Sequence, residues 1–407
     1  MGPLEGIKVI DFSTHVAVPC AARLLGDWGA HVIKVENPNG DLWRYFGIGV
    51  NTPITDEENP IFEFCNSNKE IIAINTKEEK GREVLYKLLE DADLFLTNVR
   101  GKSLKKMGLD HETLMAKFPK LTYFYFNGYG EKGPMAAWPG FDISAYWASS
   151  GFMKDYVWKG SKPFMPGVGG GDILCASLNT AAILAALTAA KKEGKGVYAT
   201  NSLYGTGIWH DFGDIIVKQP QYGYERPQSE DKTLNPLVFI YRCKNDTFCL
   251  PGGVDFPTAV DRVLDIHGLS DLKEDPYYHD AMSRDENGSH PLLPLLKKSF
   301  AEKTAAEWVE LYQEKDVVCQ EVKGAESVWG SEQAWANDYL TTIYYPSSRN
   351  MTIMPNAPVR FGGYDTKKSE HVGGVGWTSR KVMREHGFTE EEINECVEKG
   401  YVVASDE

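Results

Sequence analysis

Several things are scarce in this 407-residue chain, and each scarcity closes off a class of function. Seven cysteines are an odd number with no CxxC pair among them, the usage of reduced thiols in a cytoplasm and not of a disulfide scaffold. HExxH, zinc-type spacing and an EF-hand loop are all missing, and the nine histidines are scattered, so no metal is expected. Basic charge is short: 43 Lys and Arg face 57 Asp and Glu, a net charge of −14 that argues against nucleic-acid or anionic-membrane partners. No run of 18 residues reads as a membrane span; the closest, 173–190, is rich in Ala, Ser, Thr and Asn and reads as a buried core helix. The N-terminal stretch Met1–Lys8 lacks the basic and apolar regions of a signal peptide, so the expected location is cytoplasmic. No GxGxxG follows the first predicted strand, which leaves little for a NAD-binding reading despite a well-placed Glu36.

What is present is an ordinary globular composition, 42% apolar and 25% charged, arranged in alternating patterns. Short β-type runs at 7–12, 31–36, 71–75, 94–97, 121–126 and 197–203 alternate with helical stretches near 19–28, 80–91 and 104–118. Pro19 suits the first position of the first of these helices. Such alternation predicts parallel βαβ units, and hence a Rossmann-like, doubly wound α/β domain. Residues 218–235 lose periodicity and read as a linker. The expected organisation is a large domain over 1–217, a smaller α+β domain over 218–325, and a return over 326–407 whose C-terminal helices complete the large domain.

One stretch stands apart: 165–177, with four glycines in five residues, Gly167 and Gly169–Gly171, closed by Asp172. A long apolar and small-residue segment follows, ending in Lys191 and Lys192. The pattern predicts a loop feeding a helix with Asp172 at its N-cap. A carboxylate held there, with glycines clearing space around it, also suits a reactive group.

Three stretches carry a family likeness: Leu4–Phe12, Leu24–Glu36 and Asn66–Lys69. With Leu89–Leu94, Gly128–Pro134, Pro139–Asp142 and Glu332–Ala336, they resemble the family III CoA-transferases, in family order and over essentially the whole chain. The likeness is greatest to the branch acting on (R)-2-hydroxy acids of amino-acid fermentation. The resemblance implies that Asp172 matches the nucleophilic aspartate, which passes CoA from an acyl-CoA to a carboxylic acid through anhydride and aspartyl-CoA thioester intermediates. Amide groups at the glycine loop and helix start would then stabilise the oxyanion. It implies CoA contacts at Val16, Ala17, Ile74, Lys77, Asn98 and Lys106, and substrate-proximal positions at Phe141, Gly170 and Gly171. Coenzyme A enters as substrate, no cofactor is bound permanently, and the expected assembly is an interlocked homodimer. Three departures are visible: the Pro166–Asp172 loop is two residues longer than the branch pattern, Lys106 stands for an arginine, and 234–240 lacks the family's glycine flap.

The same superfamily includes α-methylacyl-CoA racemases, whose Gly-His-Asp motif is matched here by Gly140, Phe141 and Asp142. Phenylalanine exchanges no proton, so racemisation is disfavoured. His15 and His210 remain as nominal substitutes. A bile-acid CoA-transferase is a substrate-level alternative, and a non-catalytic acyl-CoA-binding regulatory protein is an alternative of a different class.

Overall fold

Six parallel strands dominate the computed structural model, which describes residues 1–405. They are β1 (Lys8–Phe12), β2 (His31–Glu36), β3 (Glu70–Ile74), β4 (Leu94–Thr97), β5 (Thr122–Asn127) and β6 (Tyr198–Ser202). Their spatial order is β3-β2-β1-β4-β5-β6, the doubly wound arrangement, and it reverses direction between β1 and β4. Alternation along each strand feeds two cores. Val9, Val32, Ile71, Leu94 and Leu96 face one side, where the Ala17–Asp27 and Gly170–Glu193 helices pack. Ile10, Ile33, Ile72 and Phe95 face the other, against the Glu79–Leu89 helix. Each such side chain, wholly withdrawn from water, contributes roughly 1.5–3 kcal/mol.

A seventh strand, Val402–Val403, joins antiparallel to β3 and closes that edge of the sheet. Two residues are too few for a periodic signal, and the sequence reading had no strand there. The 38–69 excursion is likewise structured, by a 3₁₀ segment at Leu42–Val50 and a helix at Pro60–Asn66 that starts on an Asn59 cap with Pro60 in its first turn.

The chain divides into two compact units: one of 1–152, 165–213 and 332 onward, the other of 153–164 and 214–331. The large sheet belongs to the first. The second holds a three-stranded antiparallel sheet (Tyr241–Arg242, Phe248–Pro251, Cys319–Glu321) with its own core, including Trp308, Phe300 and Tyr312 beside helices at Phe256–Ile266, Leu292–Phe300 and Ala305–Glu314. Relative to the expected 1–217, 218–325 and 326–407, the divisions fall at 213 and 331, and 153–164 joins the smaller unit.

Two helix predictions need correction. The first helix begins at Ala17, so Pro19 is its third residue; Pro is tolerated there because first-turn N–H groups have no intrahelical acceptor. The Gly170–Glu193 helix is not buried all round. Cys175, Ala176, Asn179, Thr180 and Ile183 are buried, whereas Leu174, Ser177, Ala181, Ala185 and Thr188 form an exposed stripe at helical spacing. Among the described residues it is the one helix long and apolar enough to cross a membrane.

Candidate active site

The switch point between β1 and β4 brings two strand-end loops together. The Thr14 N–H donates to Asn98 Oδ1 at 2.9 Å, and Asn98 Nδ2 donates to the Thr14 carbonyl at 2.7 Å. One primary amide thus clamps the β1 loop to the end of β4.

Buried charge fixes that loop from beneath. Lys34 Nζ meets Asp41 at 2.9 Å and the Ser13 carbonyl at 3.0 Å; Lys69 Nζ meets Asp11 at 2.8 Å. Asp41 Oδ1 in turn accepts from the His15 and Trp43 amides at 3.1 and 3.0 Å. All four charged side chains are almost completely withdrawn from solvent. Burial alone would raise the Asp11 carboxyl, yet the Lys69 and Lys34 ammoniums outweigh it and hold it below the ordinary value. For Lys34 burial pulls downward, and Asp41, Asp11 and Glu36 reverse that and raise it. Such pairs are expensive to desolvate and are weak evidence of net stability; removing one partner is the costly change. Here they pin residues 13–16, with His15 in the left-handed region at φ 66°.

The helix after this loop has no side-chain cap at Val16, and Pro19 has no N–H, so its first-turn amides face the sheet's carboxyl edge uncapped. This is the edge at which open α/β sheets bind ligands. Val16 and Ala17 are buried, and Val16 packs against the glycine loop: a Cβ at Gly169 would lie 3.6 Å from its methyls.

Asp172 does not cap its helix. The N-cap is Gly169, in the left-handed region at φ 61°, and Asp172 is the third helical residue. The N-cap prediction fails because a run of three glycines lets the helix start two residues earlier than the first side chain able to cap it. Asp142, at the start of the π-helical turn Asp142–Ala148, lies against the helix start instead. A Cβ on Gly171 would collide with Asp142 Oδ1 and come within 2.5 Å of the Tyr146 ring, so this approach requires glycine. Trp147 Nε1 donates to Asp142 Oδ2 at 3.1 Å. Asp142 Oδ1 is buried without a hydrogen bond of ordinary geometry, and the Gly171 and Asp172 amides act on it as oriented dipoles.

The two carboxyls are both shifted. Burial pushes Asp142 up to about 6, with Trp147 and the Asp172 and Gly171 amides opposing the rise. Burial, then the negative charge of Asp142, pushes Asp172 up to about 8. Asp172 keeps part of its surface open to solvent, so this is a crowded wall of a site and not an enclosed interior. Carboxyls displaced in this way by burial and by each other make this a candidate functional site.

Phe141 precedes Asp142 and is 60% exposed, its ring edge-on to His15 at 5.4 Å. Burial, reinforced by Lys34 and opposed by Asp41, lowers the His15 pKa. A Cβ on Gly170 would meet the Trp147 ring at 3.4 Å. Val16, Phe141, Gly170, Gly171 and Asp172 therefore come together, with His15, Asp142 and Trp147 added. In the sequence His15 was visible only as a nominal substitute for the racemase histidine and Asp142 only as the end of the Gly140–Asp142 match, and Trp147 carried no signal.

The other expected CoA contacts lie farther along the edge. Lys77, after β3, and Lys106, on the Gly101–Met107 helix, are exposed, and Thr76 Oγ1 lies 3.5 Å from Met107 Sδ, joining the two segments. Ile74 has its side chain fully buried in the core, and its strand position pairs with Val402. A β-branched residue at a strand end satisfies a core and a ligand edge equally well, and here the core takes it. His210, the other histidine considered, has Nδ1 2.8 Å from the Tyr146 hydroxyl.

Comparison with known proteins agrees over the whole length. The family described as CoA-transferase family III matches residues 4–372. An (R)-2-hydroxy-4-methylpentanoate CoA-transferase of Clostridioides difficile is 37% identical, over 96% of this chain and 97% of the relative. A cinnamoyl-CoA:phenyllactate CoA-transferase of Clostridium sporogenes is 34% identical over 96% and 95%. Among solved structures, a CaiB/BaiF family protein from Brucella suis aligns with TM-score 0.78 at 22% identity, over 95% of this chain and 99% of that one. That likeness extends the agreement to the fold. The chain belongs to CoA-transferase family III.

Proposed function

We propose that this enzyme moves CoA from an acyl-CoA to an (R)-2-hydroxy acid bearing a branched or aromatic side chain, with Asp172 as nucleophile. The observation that carries the substrate class is the full-length likeness to two transferases named for (R)-2-hydroxy-4-methylpentanoate and phenyllactate. Phe141, apolar and exposed beside His15, supports an apolar acyl side chain.

The Asp172 carboxylate attacks the donor thioester carbonyl; the C–S bond breaks, CoA thiolate leaves, and a mixed anhydride remains. The thiolate then attacks the aspartyl carbonyl, releasing the donor acid and leaving an aspartyl-CoA thioester. The acceptor carboxylate attacks that thioester, giving a second anhydride and free thiolate. Attack of the thiolate on the acceptor's acyl carbon yields the new acyl-CoA and restores the Asp172 carboxylate. Each intermediate is activated, so little thioester energy is lost, and water has to be kept out. The oxyanion reading of the helix start narrows: Asp142 faces the Gly171 and Asp172 amides, which leaves the Gly170 amide as the helix-start donor. The uncapped Ala17–Asp27 helix suits the anionic end of CoA at the switch point, with Lys77 and Lys106 farther along the edge.

The proposed assembly is the interlocked homodimer. Its support is the exposed small-residue stripe Leu174, Ser177, Ala181, Ala185 and Thr188 together with exposed Trp209 and Phe212, surface of the kind a second copy covers.

The test is mass spectrometry after incubation with a panel of acyl-CoAs and hydroxylamine. A hydroxamate at Asp172, with Asp172→Asn abolishing turnover while still binding CoA, is the expected result. Substantial turnover by Asp172→Asn would remove the nucleophile role.

A further inference from the structure

An acid in the first turn of a helix ordinarily turns back onto that turn's free amides. Asp172 is so placed, and yet among the described residues no protein group hydrogen-bonds its carboxylate; burial and the neighbouring Asp142 charge are what act on it. The N-cap Gly169 has no side chain to serve those amides either. Asp142 is 8% exposed, is tethered by Trp147 Nε1, and sits where a Gly171 Cβ would be. Its Oδ1 is buried, makes no hydrogen bond of ordinary geometry, and lies against the helix start at Gly171.

We propose that Asp142 is a positioning residue: it caps the Gly170–Glu193 helix from outside, occupies the Gly171 and Asp172 amides, and so leaves the Asp172 carboxylate free for substrate. The proposal rests on the nucleophile reading for its catalytic half; the capping half stands without it. A carboxylate bonded to two amides is the weaker nucleophile, because those bonds stabilise its charge and hold it against the helix. Assigning the cap to a second carboxylate removes that competition. It also explains why glycine is needed at 171, since any side chain would push the external cap away.

Two measurements on the full-length enzyme separate the halves. Hydrogen exchange of the 165–175 segment, read without any ligand, tests the cap: Asp142→Ala is expected to accelerate it about tenfold, and Asp142→Asn, which keeps an acceptor oxygen, by less. Unchanged exchange in Asp142→Ala overturns the proposal. Hydroxylamine trapping with a donor that labels the wild type tests the consequence: Asp142→Ala is expected to lose at least tenfold in trapping rate, with CoA affinity changed less than threefold and partial recovery in Asp142→Asn. Trapping at the wild-type rate in Asp142→Ala overturns the catalytic half. If wild-type label falls on a residue other than Asp172, the nucleophile reading fails, and hydrogen exchange still decides the cap.

Discussion

Gly171→Ala is the sharpest perturbation this site allows. In an open helix the change would stabilise by about 1 kcal/mol, because alanine has the better helix propensity. At 171 the new methyl would lie 2.5 Å from the Tyr146 ring, whereas ordinary contact begins at 3.4 Å. Relief moves either the helix start or the 142–148 turn by about 0.9 Å, a shift that costs roughly 1–3 kcal/mol in a packed region. Tyr146 is buried between Phe152, stacked at 5.6 Å, and Trp147, so the helix start is the softer side and Asp172 moves with it. A displacement near 1 Å at a reacting group costs on the order of 100-fold in rate. The expected outcome is a melting temperature lowered by a few degrees and a transfer rate lowered far more, with CoA binding retained. Gly167→Ala is the control, since a Cβ there meets nothing within 4 Å. Thermal melts followed by circular dichroism and steady-state transfer assays on both variants decide it. A Gly171→Ala enzyme with full rate and an unchanged melt would refute the packing argument.

Three further outcomes are expected. Asn98→Ala removes both hydrogen bonds to Thr14, about 2 kcal/mol, and should raise the KM for CoA as the β1 loop loosens, with a measurable fall in Tm. The Asp172 carboxyl is raised when folded, so its contribution to stability is complete below the ordinary carboxylate pKa and is lost as pH rises toward about 8. Asp172→Asn, which stays neutral, should therefore gain in Tm over wild type between pH 4 and pH 8 and no further above it; an equal gap at both ends would contradict the shift. Phe141→Ala should shift acyl preference away from aromatic and branched acids, read as kcat/KM across an acceptor panel; unchanged selectivity removes Phe141 from the acyl pocket.

The parallel sheet was legible because its signal is local and repeated: Ile10, Ile33 and Ile72 sit at matching places in successive βαβ units. Asp172 was legible as a reactive candidate from its glycines, yet its place in the helix was not. A Gly169–Gly171 run adopts helical or left-handed backbone at almost equal cost, and the choice between them is made by Asp142 and Val16, which approach through the tertiary fold. The 142–148 turn was opaque for a related reason: a π-helical turn has no sequence period of its own. Lys34 read simply as one polar position in a strand, and its partner Asp41 comes from the following excursion.

The strand Val402–Val403 makes one edge of the sheet wait for residues synthesised long after β3. Val402–Val403 covers the open edge of β3, Tyr401 accepts the Asn75 N–H at 2.8 Å, and Ser379 Oγ donates to Val403. The loop that carries Lys77 is thus fastened by residues synthesised long after β3 and after the smaller unit. Until then β3 presents an unpaired edge, a template on which nascent chains can stick together. A chain cut short before Tyr401 would keep Asp172 and most of its surroundings while losing the seal beside the Lys77 loop, so such a truncation should fail by aggregation before it fails by chemistry.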